Sequence, residues 1–176
     1  AVYVFLGAFF YGVVYTVWLK RRTWLNIVFG GLAGSFAVLG GAAAVDPALG
    51  TVPIILAVVL FLWTPPHFWS LAMVLGDEYR AAGVPMLPVV KGDRVAAWAI
   101  LAHTVPLVAL SLVPFWLGLG WIYLIGAAGG GAWFVERSVR LVQRPGKTAA
   151  RATFLASLGQ LSLLLIAAIA DRALLG

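Results

Sequence analysis

Two adjacent acidic residues, Asp77 and Glu78, stand in a polar segment between apolar stretches, and Arg80 follows them. Mg²⁺ is commonly held by one or two carboxylates together with the phosphates of a substrate. Arginine can bind the remaining phosphate charge through paired hydrogen bonds. The segment is therefore a candidate site for a magnesium-bound phosphate ester. A solvent-exposed loop would explain the same mixture of charges, and both interpretations stay open.

A second cluster contains three adjacent cations, Lys20, Arg21 and Arg22, with Asn26 shortly after them. Such cations are typical of an anchor at a membrane surface, and they could also bind phosphate. Asn26 enters an apolar stretch, where an amide needs an internal partner. Three glycines follow at near-helical spacing: Gly30, Gly31 and Gly34. They let a helix or a flat ligand approach the backbone, and we favour close helix packing.

The third cluster is the string Trp-Thr-Pro-Pro-His-Phe-Trp at residues 63–69, inside an apolar stretch. Pro65 and Pro66 lack N–H donors, so the helix is expected to be kinked or broken there. A broken membrane helix usually lines protein or a cavity. His67 could then satisfy a freed carbonyl, hydrogen-bond a ligand or bind a metal, and the aromatic rings could flank a planar substrate. His103, alone in an apolar stretch, is expected to be structural.

The composition points to a membrane protein. Of the 176 residues, 63% are hydrophobic and only 10% are charged, whereas a soluble domain carries about 25% charged residues. A soluble enzyme, a disordered tail and a disulfide scaffold are excluded, the last because the chain has no cysteine. The net charge of +6 does not indicate a nucleic-acid partner, because the cations are scattered between apolar runs.

Uncharged stretches divide the chain into candidate spans of roughly 20 residues, the length that crosses a bilayer. They cover residues 1–19, 23–45, 47–76, 95–135 and 152–170. The fourth is long enough for two helices, with a break at Pro114, Gly118 and Gly120. We therefore predict an all-α bundle of six membrane spans. A β-barrel is excluded because the runs lack period-2 alternation.

Lysine and arginine predict the orientation of the bundle, since short cytoplasmic loops carry an excess of them. Basic residues follow the first, third and fifth predicted helices, whereas the turns after the second and fourth have none. Residue 1 is thus expected outside and the basic loops in the cytoplasm of a multi-pass plasma-membrane protein.

Three strings match a known family: Tyr15-Thr…Leu-Lys-Arg-Arg-Thr with Asn26-Ile-Val…Gly30-Gly…Gly34; Trp63-Thr-Pro-Pro-His-Phe-Trp-Ser-Leu-Ala; and Glu78-Tyr-Arg-Ala-Ala-Gly-Val-Pro-Met-Leu-Pro-Val-Val. In these strings the sequence resembles the protoheme IX farnesyltransferases, or heme O synthases, of the UbiA superfamily of intramembrane prenyltransferases. The matches are dense from about residue 15 to residue 92. The last three helices match mainly in hydropathy.

The resemblance implies a fold of nine spans with two acidic motifs on the cytoplasmic side. Residues 1–176 are then expected to be a single transmembrane domain holding the last six spans, with the upstream helices and the first acidic motif missing. On that expectation the fragment alone would be inactive. Two departures from the family pattern are Glu78, where Asp is usual, and the pair Phe36-Ala37, where a proline is usual.

The implied reaction is transfer of a farnesyl group from farnesyl diphosphate to a vinyl group of heme b, giving heme O. By resemblance, the second acidic motif falls on Asp77, Glu78 and Tyr79, and its two carboxylates bind Mg²⁺. The diphosphate is assigned to four cations: Lys20, Arg21, Arg22 and Arg80. His67 and Asn26 are assigned to the heme side, with heme b as substrate and not as a permanent cofactor. Heme A synthase is a further expected partner, besides the lipid bilayer.

Two alternatives stay open at this point. A related prenyltransferase acting on a quinone precursor or on chlorophyllide would share the acidic loop. A non-catalytic membrane subunit or half of a transporter would instead predict intramembrane charges or a repeated broken helix.

Overall fold

The computed structural model describes residues 1–175, which are helical with short connections and contain no strand. The first long helix begins as α1 (Val2–Phe9) and continues as a π-helix (Phe10–Leu19). The other helices are α2 (Asn26–Val45), α3 (Thr51–Val74), α4 (Gly76–Ala81), α5 (Leu87–Lys91), α6 (Asp93–Leu112), α7 (Trp121–Gln143) and α8 (Lys147–Leu175). The prediction of an all-α bundle is confirmed.

Five helices are long and apolar enough to cross a membrane. They are Val2–Leu19, Asn26–Val45, Thr51–Val74, Asp93–Leu117 and Lys147–Leu175. The sixth long helix, α7, contains several glycines and ends in a charged segment that begins at Glu136, which lowers its hydropathy. A polytopic membrane bundle is therefore established, while the sixth crossing stays a prediction.

The turn between α6 and α7 lies where the sequence predicted a break. A 3₁₀ segment, Val113–Leu117, follows α6, and Gly118 then takes a left-handed conformation with φ of 101°. Glycine suits this position because it has no Cβ to clash with the following carbonyl. The N–H of Leu119 donates to the carbonyl of Pro114 at 3.1 Å, which closes the turn.

Helix α3 is the centre of the bundle and packs against α2, α5, α6 and α8, whereas α1 packs against α2. Two hydrophobic clusters divide the interior along the helix axes. One includes Trp69, Met73 and Leu141 and lies at the end that carries the basic loops, called the basic end below. The other includes Val59, Tyr123 and Leu164 and lies toward the opposite end.

The glycines of α2 serve close packing, as favoured from the sequence. A Cβ on Gly31 would lie 3.4 Å from the carbonyl oxygen of Phe61, so α2 and α3 touch backbone to backbone there. A Cβ on Gly30 would lie 2.8 Å from the ring of Tyr15, and one on Gly34 would press on Leu60. No space for a flat ligand is left beside these three glycines.

The expected break at Pro65 and Pro66 does not occur, because α3 is continuous from Thr51 to Val74. The fixed φ of proline is compatible with a helix, and neighbouring helices and hydroxyl side chains commonly compensate for the missing donors in membrane helices. Both prolines are buried, and α3 packs against α2, α6 and α8. The segment is a packed core element.

Candidate functional site

The acidic helix α4 follows α3 after a single residue, so the end of α3 positions it at the basic end. The carboxylate of Asp77 lies between two cations: its Oδ1 accepts a hydrogen bond from Arg80 at 2.9 Å, and its Oδ2 is 3.6 Å from Nζ of Lys147. All three side chains are mostly exposed. Exposed pairs of this kind contribute little stability, so an incoming anion or cation can displace them at little cost.

Glu78 is also exposed and lies beside Asp77 in the first turn of α4. No three His, Asp or Glu side chains come together within residues 1–175. A metal at this helix would have these two carboxylates as protein ligands and would need oxygen atoms from a substrate. That donor set suits Mg²⁺, which binds nucleotide-like phosphates in this way.

Tyr79 anchors α4 to the bundle. Its ring packs on the hydrophobic cluster at the basic end, and its carbonyl accepts a hydrogen bond from Val84 at 3.0 Å. Burial raises the pKa of the Tyr79 phenol above its ordinary value. The hydroxyl therefore stays protonated at neutral pH and can donate a hydrogen bond.

The cation turn after the first helix is held by Asn26. The fully buried Asn26 donates from Nδ2 to the carbonyl of Lys20 at 3.1 Å, while its Oδ1 is buried without a partner among the described residues. Nζ of Lys20 lies 5.9 Å above the centre of the Tyr15 ring, a cation–π arrangement. Arg21 and Arg22 are exposed.

Tyr15 and Tyr79 pack against the same hydrophobic cluster, so the cation turn and α4 lie at one end of the bundle. The structure therefore brings Lys20 and Asn26 to one side of this end, and Asp77, Glu78 and Arg80 to another. An anion held at this end would have access to basic groups from two separate elements.

His67 lies deeper, seven residues before the end of α3, or about 10 Å along a helix axis. It is 8% exposed, and its Nδ1 lies 2.8 Å from Oγ of Ser157 on α8. The Ser157 hydroxyl itself donates to the Phe154 carbonyl at 2.6 Å. Because a serine has one proton, Nδ1 of His67 must be the donor, and Nε2 is left with the free lone pair.

Aromatic rings hold the imidazole of His67 in place. Trp63 stacks on it with centroids 4.1 Å apart, and the Phe154 ring lies 4.7 Å away. The indole N–H of Trp63 donates to the Ser157 carbonyl at 2.8 Å. Of the aromatic residues in 63–69, Trp63 stacks on His67 and Phe68 meets it edge-on at 5.1 Å, whereas Trp69 does not contact it. That these rings flank a planar substrate stays a prediction.

His103 has the structural role expected from the sequence. Its Nδ1 donates to the carbonyl of Ala99 at 2.9 Å, one turn earlier in α6, and its ring meets Trp69 edge-on at 5.1 Å. Both contacts are internal to the bundle.

Sequence reasoning missed Ser157 and Lys147, which contact His67 and Asp77 respectively. Ser157 had a signal, since it is one of four polar residues on the buried face of α8, with Thr153, Gln160 and Asp171. Lys147 had none beyond its position in a basic loop. The two contacts join α8 to both parts of the candidate site.

The UbiA prenyltransferase family model matches residues 1–159. The chain is 60% identical to protoheme IX farnesyltransferase 2 of Paramagnetospirillum magneticum over 176 residues, which is all of this chain and 61% of that protein. It is 56% identical to protoheme IX farnesyltransferase 1 of the same organism, over 98% of this chain and 61% of that protein.

A third relative is the protoheme IX farnesyltransferase of Gloeobacter violaceus, 48% identical over 92% of this chain and 53% of that protein. The chain thus spans between half and two thirds of the length of these three relatives. No solved structure matches the chain. From the family match and the identities over almost the whole chain, the chain belongs to the UbiA prenyltransferase family.

Proposed function

We propose that the protein transfers a farnesyl group from farnesyl diphosphate to a vinyl group of heme b, giving heme O and diphosphate. The observation that carries the proposal is the 60% identity to a protoheme IX farnesyltransferase over all 176 residues. In this reaction the bond between C1 of the farnesyl group and the phosphate oxygen breaks. The vinyl group supplies the electrons for the new carbon–carbon bond. A water molecule then adds to the cation left on the inner vinyl carbon and loses a proton, which gives the hydroxyl group of heme O.

The basic end would hold the diphosphate. Asp77 and Glu78 would bind Mg²⁺, which neutralises charge on the departing diphosphate when it is bound. The facing cations Lys20, Arg21, Arg22 and Arg80 would hold the phosphate oxygens, as preorganised electrostatic groups that need not reorient during the reaction. The displaceable ion pairs of Asp77 support this assignment. Tyr79 would donate a hydrogen bond from its protonated hydroxyl to the diphosphate.

The acceptor would lie toward His67. Its Nε2 carries a free lone pair beside buried aromatic rings. This atom can therefore bind the iron of heme b or accept a hydrogen bond from the heme b molecule. Asn26 Oδ1 is a second buried acceptor without a partner in the described part of the chain. Because it lies beside Lys20, it would stand between the bound diphosphate and the interior.

The apolar interior would hold the farnesyl chain and exclude water from C1 of the farnesyl group. We place the protein in the plasma membrane with its basic end in the cytoplasm, because basic loops are retained there. Heme O leaving the site would be passed to a heme A synthase.

Extraction of the products from cells tests this proposal. The protein as its gene encodes it is expressed in a strain without its own heme farnesyltransferase, and hemes, quinones and chlorophylls are separated by chromatography with mass detection. The proposal requires heme O to appear. A new prenylated quinone or chlorophyll, with no heme O, would assign the protein to another branch of the family.

A further inference from the structure

A basic cavity lies where α7 ends and α8 begins. Its volume is about 580 Å³, and its lining contains four cations from two helices: Arg137, Arg140, Arg144 and Lys147. Thr148 and Ala152 of α8 form part of its wall. The lining contains no acidic residue among those described, so the cavity carries a concentrated positive charge.

Only part of this charge is neutralised by neighbouring residues. Glu136 pairs with Arg137 at 3.0 Å and also with Arg140. Lys147 shares the carboxylate of Asp77 with Arg80. The cavity also opens at the N-terminus of α8, where the first backbone N–H groups have no partner within the helix and favour an anion.

Exposed apolar side chains continue from the cavity along the outside of the same two helices. Trp133, Arg137 and Arg140 lie on one face of α7, because their spacings follow the helical repeat, and Arg144 directly follows the end of α7. Trp133 is 41% exposed and its ring packs over Gly159 of α8, one to two turns deeper than the cations. Leu155 of α8 is 49% exposed. Cations therefore stand above exposed apolar side chains of the same two helices.

The cavity shares Lys147 with the candidate prenyl-transfer site, but it lies on another side of α8 from His67. Ala152, on its wall, and Phe154, which contacts His67, differ by two residues and so point about 200° apart around α8. Ser157, the hydrogen-bond partner of His67, shares the side of Phe154. The face of α8 that forms the cavity thus points away from His67 of α3 and lies beside α7.

We propose that this cavity binds the headgroup of an anionic phospholipid, with an acyl chain lying over Trp133 and Leu155. Basic pockets between membrane helices bind lipid phosphates, and each cation near the membrane surface strengthens the attraction to anionic lipid. The long side chains of arginine can reach the phosphate while their stems stay on apolar surface. A cationic cavity beside exposed apolar side chains favours a lipid over a soluble phosphate.

The test measures lipid retention. The protein as its gene encodes it is reconstituted in mixtures of phosphatidylglycerol and phosphatidylcholine, released in mild detergent, and its bound lipids are counted by native mass spectrometry. The variant R140Q/R144Q removes two cavity cations. The matched control R94Q/R151Q removes two cations at the basic end that do not line the cavity. The single variant R144Q leaves the pairs of Glu136 intact and guards against misfolding of the double variant.

We expect the wild-type protein to retain phosphatidylglycerol preferentially and the control to match it. Loss of one cation should weaken retention roughly five-fold and loss of two on the order of 20-fold. Inorganic diphosphate and glycerol phosphate, added as soluble competitors, should leave the bound lipid in place. Equal retention in R144Q and wild type, an equal loss in the control, or displacement by diphosphate would each overturn the proposal.

Discussion

The carboxylate of Asp77 lies between Arg80 and Lys147 at the surface, where it contributes little to stability. Its replacement therefore separates a functional role from a structural one. We expect Asp77→Asn to slow the chemical step by about 100-fold or more, the scale of losing one preorganised electrostatic contact, with the protein folded as before. Raised Mg²⁺ should recover part of the loss. Heme O formation at several Mg²⁺ concentrations measures both effects.

The matched control is Asp46→Asn, which changes an exposed acid at the opposite end of the bundle. Asp46 accepts a hydrogen bond from the N–H of Ala48 at 2.9 Å, and asparagine can accept the same bond. This variant should keep the wild-type rate. If Asp77→Asn also keeps it, the acidic helix has no part in the chemistry.

Replacement of His67 should weaken the binding of heme b and leave the binding of the diphosphate unchanged. We expect His67→Ala to weaken heme b binding with unchanged dependence on Mg²⁺ and farnesyl diphosphate, because the ring lies about 10 Å deeper than the end of α3. Ser157→Ala removes the group that accepts from Nδ1 and should weaken heme binding less. Both variants are tested in two ways. Heme binding is titrated and followed by absorbance, and activity is measured at several Mg²⁺ concentrations. A change confined to Mg²⁺ dependence would contradict the assignment.

At this scale, the residue types were predictable and their partners were not. The sequence pointed to Asp77 because it stands beside Glu78 and Arg80 where an apolar stretch ends, and to His67 because histidines are rare in the apolar stretches. It could not pair His67 with Ser157, which is 90 residues away. Asn26 illustrates the same limit, since its predicted need for an internal partner is met by a backbone carbonyl of the cation turn.

Helices α7 and α8 are held together by glycines that permit close contact. A Cβ at Gly126 would lie 3.1 Å from the carbonyl oxygen of Leu163 and would also press on Ala167. Because backbone atoms cannot move aside easily, we expect Gly126→Ala to destabilise the bundle by about 1–3 kcal/mol, the usual cost of overpacking. Gly129→Ala is the control, since a Cβ there meets no atom within 4 Å.

Equilibrium unfolding in mixed micelles measures the free energy of unfolding of both variants. We expect Gly129→Ala to be neutral or mildly stabilising, because alanine has a higher helix propensity than glycine. Equal stability of the two variants would show that α7 and α8 do not pack as described.

The ends of helices were predictable where the local backbone conformation requires a particular residue type. Gly118, with φ of 101°, marks the turn that the sequence assigned to it. Pro65 and Pro66 were misleading, because packing of α3 against several neighbours keeps the helix continuous across them. Their effect depends on tertiary contacts that the local sequence does not report.

At the scale of the whole molecule, the alternation of loops with and without lysine and arginine predicts one orientation. Cysteine labelling of the protein as its gene encodes it should place positions 22, 91 and 147 in the cytoplasm and positions 47 and 120 outside. External labelling at position 91 would reverse the orientation and move the proposed phosphate groups to the other side of the membrane. Labelling at 120 and 147 on opposite sides would also establish that α7 crosses.

The overall architecture followed from composition because apolar runs must pair their backbone groups internally, which leaves helices. The helix count was harder, since α7 carries glycines and a charged end that place it below the hydropathy of its neighbours. The central position of α3 could not be predicted, because hydropathy specifies which segments enter the bilayer and not which ones touch.

The central claim is farnesyl transfer to heme, and an acceptor competition tests it most directly. Purified protein is supplied with Mg²⁺, isotopically labelled farnesyl diphosphate and equal amounts of heme b, a quinone precursor and chlorophyllide. We expect the label to appear in heme O, and we expect Asp77→Asn to reduce the amount of labelled heme O. Label in the quinone or chlorophyll product, with heme b unchanged, would contradict it.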